Sequence, residues 1–223
     1  MILVKQVIER GTPKCYSFNI EVEFYLNNYL INSSEILVTT QMNKKFYVGA
    51  HSALELSGFN HYVPMGKSVL MIGHHQQVKI ADWKEETYFG YELKFFSTKI
   101  FSKPQFTTFD KGDCKILASA PEQAFLECLL LAPNQYAYMF LFYIMEQLTT
   151  IRAEVVQQLL ENTGNIKVKR LFLYMAQKAG HDWFDRLVKS KIKLGTGKQK
   201  LAVNGVYLPE YMITIPKELH DYE

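Results

Sequence analysis

Between Tyr136 and Met145 the chain reads YAYMFLFYIM, ten consecutive residues without a charge, an amide or a glycine. Pro133 stands before this run and Glu146-Gln147 follow it, so the pattern predicts a helix over about 135–148 that is apolar on every side. A helix of that kind belongs at the buried centre of a bundle. A ten-residue run is half of the roughly twenty needed to cross a bilayer, so the chain is expected to be soluble and not membrane-bound. The helix therefore needs other chain to cover it. At 223 residues there is enough for one elaborate domain or two small ones, burying about 70–75% of the unfolded surface without metal or disulfide staples.

More helices are expected around it. Pro121-Glu122 has the chemistry of a first helical turn, where a missing amide is tolerated and an acid suits the dipole; that helix is halted by Pro133. Thr149 or Thr150 is placed to cap a third helix ending at Asn162. A fourth runs from about Asn165 to Ala179 and stops at Gly180. Val168, Leu171, Phe172, Met175 and Ala179 fall on one stripe of it. A short helical stretch to Val188 follows, then β-like pieces at Leu201–Val203 and Tyr211–Ile215.

Upstream of Ser119 the signals are mixed. Phe46–Val48, Val69–Ile72 and Tyr91–Phe96 read as short strands, punctuated by Gly49, Gly58, Pro64, Gly66 and Gly73. Ala50–Ser57 reads as a short helix closed by Gly58, and Ser33 to Met42 is either a capped helix or a strand. The fold class is therefore α/β (α+β): a small mixed sheet in the N-terminal half, packed with a C-terminal cluster of four to five helices and short terminal strands. Three segments are expected: an extension over 1–34, a mixed half over 35–118, and a helical half over 119–223 that forms one compact unit with the mixed half.

Charge is unevenly distributed. The whole chain carries +3. Residues 163–200 hold ten Lys and Arg against Asp182 and Asp185, a net of +8, which leaves −5 for the rest. Such a patch suits an anionic partner or is a solvated face. On the fourth helix Lys167, Lys169 and Arg170 crowd the N-terminal turn, where the dipole disfavours cations by about 0.3–1 kcal/mol each. With Tyr174 and Lys178 on the same flank, and Lys189, Lys191, Lys193, Lys198 and Lys200 beyond, they form the candidate anion, nucleic-acid or partner surface. On this reading, reversing Lys167, Lys169 and Arg170 to glutamate leaves the protein folded.

Catalytic chemistry is thinly represented. Cys15, Cys114 and Cys128 are too far apart for a disulfide framework or a zinc site and read as buried free thiols of a cytoplasmic protein. The adjacent His74-His75 pair has side chains that diverge, so no metal is expected. Gly195-Thr196-Gly197-Lys198 lacks both the earlier glycine and the following Ser or Thr of a phosphate loop, and reads as a hairpin turn with a basic rim. Ser190 and Lys193 have the spacing of a serine–lysine pair without its companion motifs. One enzymatic alternative stays open. Asp82 followed by Glu92-Leu93-Lys94 has the acid and acid-x-Lys order of a metal-dependent nuclease, in which the acids hold Mg²⁺ and the lysine polarises the phosphate.

The blocks NIKVKRLFLYMAQKAGHDWFDRL (Asn165–Leu187), IKLGTGKQKL (Ile192–Leu201) and YLPEYMITIP (Tyr207–Pro216) together resemble the abortive-infection E antitoxins of bacterial type IV toxin–antitoxin systems, the AbiEi-type proteins. YVGAHSALELSGFNHYVPMG (Tyr47–Gly66) and SAPEQAFLECL (Ser119–Leu129) are similar to the family's upstream segments in the same order, so the resemblance covers about residues 35–217. Ala120 and Gln123 stand where the family has a capping serine and an arginine. The family's N-terminal winged helix-turn-helix has no convincing counterpart in residues 1–34. The resemblance implies an antitoxin that is no enzyme, has no catalytic residue and uses no cofactor. It also implies a functional partner, a nucleotidyltransferase toxin encoded nearby that acts on RNA, met without a stable complex. A transcriptional regulator of its own operon is the further alternative. Weak, salt-sensitive nucleic-acid binding is the most that the basic patch alone would give.

Overall fold

The computed structural model describes residues 46–59, 68–74, 87–88, 91–111 and 114–222. The expectations for residues 1–34, for Ser33 to Met42 and for Asp82 lie outside these residues.

Six strands form a mixed sheet: β1 (Phe46–Val48), β2 (Ser68–His74), β3 (Thr87–Tyr88), β4 (Tyr91–Ser97), β5 (Phe106–Lys111) and β6 (Cys114–Ser119). Their order is β3-β4-β2-β1-β6-β5. β2 runs parallel to β4 over seven pairs, from Ser68 opposite Tyr91 to His74 opposite Ser97. β1 is antiparallel to β2 and parallel to β6. All three residues of β1 are buried, which is why Phe-Tyr-Val is apolar or aromatic throughout instead of alternating. Gly73 faces Tyr47 across the β1–β2 pair. A Cβ there would come within 2.3 Å of the Tyr47 ring, so only glycine lets the two strands meet. The short helix α1 (Ala50–Leu56) links β1 towards β2, with Gly58 in the left-handed region just beyond it.

The helical half follows as expected, with α2 (Pro121–Leu131), α3 (Tyr138–Gln147), α4 (Ala153–Asn162) and α5 (Ile166–Ala179). Asn165 caps α5, its Oδ1 accepting from the Val168 N–H at 3.1 Å. Gly180, at φ +69°, closes it, a left-handed stop that costs glycine little. α4 is a correction: it begins at Ala153, not after Thr149 or Thr150. The Arg152 N–H at its entrance is met by the Glu122 carboxylate of α2 at 2.8 Å, a partner from another element instead of a local threonine.

The apolar helix α3 is packed as its sequence demands: Leu141, Phe142, Ile144 and Met145 are buried. Yet α2 and α5 are covered more completely. Every residue from Glu122 to Leu129 and from Val168 to Ala176 is buried. On α5, Leu171, Phe172 and Met175 each contribute about 1.5–3 kcal/mol through burial. One cluster of buried residues runs from Phe46 in the sheet through all four helices to Leu219.

Beyond α5 come two single 3₁₀ turns, at Phe184–Arg186 and Lys189–Lys191, and a three-stranded sheet of β7 (Gln199–Lys200), β8 (Val206–Leu208) and β9 (Ile213–Ile215) in the order β7-β9-β8. Helix α6 (Lys217–Asp221) follows. Leu201–Val203, expected as β, lies outside a strand. The Gly195–Gly197 stretch is not a hairpin turn either: β7 leaves it to pair parallel with β9, and the loop folds back over Arg170.

Candidate functional site

The row of donors along α5 explains why cations crowd its first turn. The last carbonyls of a helix have no partners within it and carry partial negative charge. Lys167 Nζ donates to the carbonyls of Leu130 and Ala132, at 3.2 and 2.7 Å, at the end of α2. Tyr174 donates its hydroxyl to the Leu219 carbonyl, and Lys178 donates Nζ to those of His220 and Tyr222, at the end of α6. Just past α5, His181 Nε2 and Trp183 Nε1 serve the Met145 and Leu148 carbonyls at the end of α3. At Lys167 the dipole penalty at the start of α5 is thus offset by the end of α2.

Lys169 and Arg170 are buried, with 3% and 0% of their surface exposed. Lys169 Nζ donates to the Lys193 carbonyl at 3.2 Å. Arg170 donates to Leu194 through both Nε and Nη2, and through Nη1 to Gly197 and Met212. Burial draws the proton affinity of all three cations, Lys167, Lys169 and Arg170, below its ordinary value, with the nearby Lys193 charge adding to the effect at Lys169. Lys169 and Arg170 hold the C-terminal loop and small sheet on the helical half. A glutamate at 170 would place a carboxylate among carbonyl oxygens, so the expectation that the triple reversal leaves the protein folded does not fit the geometry.

The basic groups that remain in solvent lie on the segment those cations hold. Lys189, Lys191, Lys193, Lys198 and Lys200 are all exposed. Lys189 Nζ sits 4.1 Å from the Phe184 ring centroid, and Lys198 Nζ 5.1 Å from that of Tyr207. Of the ten residues that charge and spacing singled out, five are exposed; Lys169 and Arg170 brace the segment that carries them, while Lys167, Tyr174 and Lys178 hold the ends of α2 and α6. Tyr207 was absent from that set. Its only signal is the Val-Tyr-Leu pattern of a short strand in a basic neighbourhood.

A second cluster was missed altogether. Glu127, in the middle of α2, is fully buried. Its carboxylate accepts from the Tyr47 hydroxyl at 3.0 Å, the Ala50 N–H at 2.8 Å, the Ser119 hydroxyl at 2.9 Å and Gln123 Nε2 at 2.8 Å. Tyr47 is in turn hydrogen-bonded to Thr98. Ala50 has φ +48°, an uncommon conformation for a residue with a side chain, and its N–H is the one that reaches Glu127. Burial pushes the Glu127 carboxyl up to about 7, against the pull of those four donors. The hub joins β1, α1, β6 and α2, and it is closed to solvent.

Glu122, one turn earlier, is 2% exposed and forms a two-pronged pair with Arg152, Nε to Oε1 at 2.9 Å and Nη2 to Oε2 at 3.0 Å. Burial acts to raise its carboxyl, but the Arg152 hydrogen bonds outweigh it and hold the group below its ordinary value.

For the nuclease alternative, Glu92 and Lys94 do share a strand face. Their charges pair with each other at 3.5 Å, and Lys94 Nζ also donates to Gln135 Oε1 at 3.2 Å. Among the described residues no group of three or more His, Cys, Asp or Glu is placed to hold a metal ion. His74 is buried, edge-on to Phe46. Cys128 is a buried free thiol whose proton is held well beyond the ordinary range by burial.

A family model described as transcriptional regulator, AbiEi antitoxin, type IV TA system matches residues 67–216. The chain belongs to this AbiEi family. The family-defining region of this AbiEi chain begins at the edge of β2 and ends after β9, so it contains the whole donor row of α5, the exposed lysines and Glu127. The Tyr47 and Ala50 partners of Glu127 precede it. The crystal structure of the RV2827C protein from Mycobacterium tuberculosis is similar in fold, with a TM-score of 0.55 at 15% identity, over 83% of this chain and 66% of that one. This AbiEi chain thus spans about two thirds of the length of that protein. No curated protein matches the sequence. No helix among the described residues is long and apolar enough to cross a membrane.

Proposed function

We propose that this AbiEi-family chain is the antitoxin of a type IV toxin–antitoxin pair, counteracting in the cytoplasm a nucleotidyltransferase toxin encoded nearby. It does so without catalysis and without a cofactor, through the exposed lysines of residues 189–200. The observation that carries this reading is the division of labour within the matched region. Lys169 and Arg170 are committed to backbone carbonyls of the loop and small sheet, and the segment they hold displays five lysines to solvent. Such a surface is built to meet an anionic species, and its contact with phosphates alone is weak and salt-sensitive.

Co-expression tests the reading. Growth arrested by the neighbouring nucleotidyltransferase is expected to recover when this chain is expressed with it. Glu92→Ala with Asp82→Ala is expected to protect as well as the natural chain; loss of protection in that folded variant would instead favour the nuclease-like alternative.

A further inference from the structure

The outward face of the small sheet carries a row that the charge pattern did not reveal. Lys200 on β7 and Tyr207 on β8 are both in register with Thr214 on the central strand β9. Residues in register across strands point to the same side. Ile213 and Ile215, which flank Thr214, are fully buried, so the row Lys200–Thr214–Tyr207 lies on the face turned away from the core. Tyr207 is 38% exposed, and Lys198 reaches its ring from beside β7. Val203, between β7 and β8, is 80% exposed. Glu210 is the only acid between Asp185 and Glu218, so the segment that builds this face supplies far more cations than acids.

We propose that this face binds a single-stranded RNA segment, with one base stacked on Tyr207, flanking phosphates on Lys198 and Lys200, and the Thr214 hydroxyl turned to the ribose. The biological role of this contact rests on the antitoxin reading above; the contact itself rests on the register of the sheet. An open aromatic ring framed by cations is the arrangement that holds single strands, because every base offers a flat face and every linkage a charge. The ammonium of Lys198 now covers the Tyr207 ring. A base stacks there more strongly than an exposed ammonium does, and the freed lysine, on its flexible stem, then meets the adjoining phosphate. Duplexes are a poor fit, since their bases are already stacked and paired. The hydroxyl in the middle of the row favours ribose, whose 2′-OH both donates and accepts.

The test is fluorescence anisotropy of a labelled ten-nucleotide adenylate RNA with the full chain, without toxin, so that its failure is separable from a failure of the growth assay. Tyr207→Ala is expected to weaken binding at least tenfold and Tyr207→Phe by no more than about twofold. Lys198→Gln with Lys200→Gln is expected to reduce the slope of log affinity against log salt by about 1.4, two phosphates at roughly 0.7 each. The deoxyribose oligomer is expected to bind several-fold more weakly. The proposal is overturned if the RNA does not bind, if a folded Tyr207→Ala variant binds like the natural chain, or if duplex RNA or the deoxyribose oligomer binds equally well.

Discussion

Arg170 and Leu194 are joined twice: Nε and Nη2 of the guanidinium donate to the same carbonyl oxygen, at 3.0 and 2.7 Å. The remaining nitrogen spans to Gly197 and Met212. One side chain thereby ties helix α5 to the loop before β7 and to the turn before β9. Arginine suits this site because its fork is planar and rigid, and lysine could not reproduce it. Arg170→Met is expected to lower stability by about 2–4 kcal/mol, since it removes four hydrogen bonds from one buried charged donor to the Leu194, Gly197 and Met212 carbonyls. Arg170→Lys should recover only part of that. Chemical denaturation checks both, and a loss below about 1 kcal/mol for the methionine variant would show that the loop holds itself.

Glu127 makes stability depend on pH in a direction opposite to most carboxylates. Burial raises its folded-state value from 4.5 to about 7, so between those values the native protein binds more protons than the unfolded chain. Its contribution is complete below about pH 4.5 and is lost as pH rises through 7, by up to ~3 kcal/mol. Glu127→Gln mimics the protonated form and is expected to flatten the fall in urea midpoint across that window. An unchanged slope in the variant would show that Glu127 stays ionised throughout.

Glu122 should behave in the reverse sense. Its carboxyl is held below the ordinary value by Arg152, so the pair stabilises above about pH 4.5, and this contribution fades as the carboxyl is protonated on acidification. Arg152 is well exposed while Glu122 is buried, which moderates the loss. Arg152→Ala is expected to cost about 1–3 kcal/mol at pH 7, and less at an acid pH where the carboxyl is protonated. An equal cost at both pH values would trace the effect to lost packing of the arginine stem.

The elements with a single strong signal were legible in the sequence. Pro121 opened α2, Pro133 lay just past its end, and Gly180 closed α5. Most of the ten-residue apolar run is helix, starting at Tyr138, with Tyr138, Leu141, Phe142, Ile144 and Met145 buried. The ranking of the helices was not legible. α2 and α5 are buried more fully than α3, yet they carry Glu122, Gln123, Glu127, Lys169 and Arg170, which read as surface residues until their partners are known. Those partners come from positions 4 to 77 residues away, such as Gln123 and Ala50 for Glu127 and Met212 for Arg170. The unfavourable placement of Lys167, Lys169 and Arg170 against the dipole signalled that hydrogen-bond acceptors lay nearby. For those three the acceptors are the backbone of this same chain. The five exposed lysines of the candidate surface sit on residues 189–200, and the register that adds Tyr207 to them depends on strands too short to recognise from pattern.

On the proposed function, the exposed lysines protect the cell while the buried cations hold the fold. The most direct measurement is growth rescue by the quadruple variant Lys191→Glu, Lys193→Glu, Lys198→Glu and Lys200→Glu, co-expressed with the neighbouring nucleotidyltransferase and paired with its thermal unfolding. These side chains are exposed, so each change is expected to alter stability by no more than about 0.5 kcal/mol, and the protein should remain folded. Rescue should be lost. A folded quadruple variant that restores growth as well as the natural chain would contradict the account.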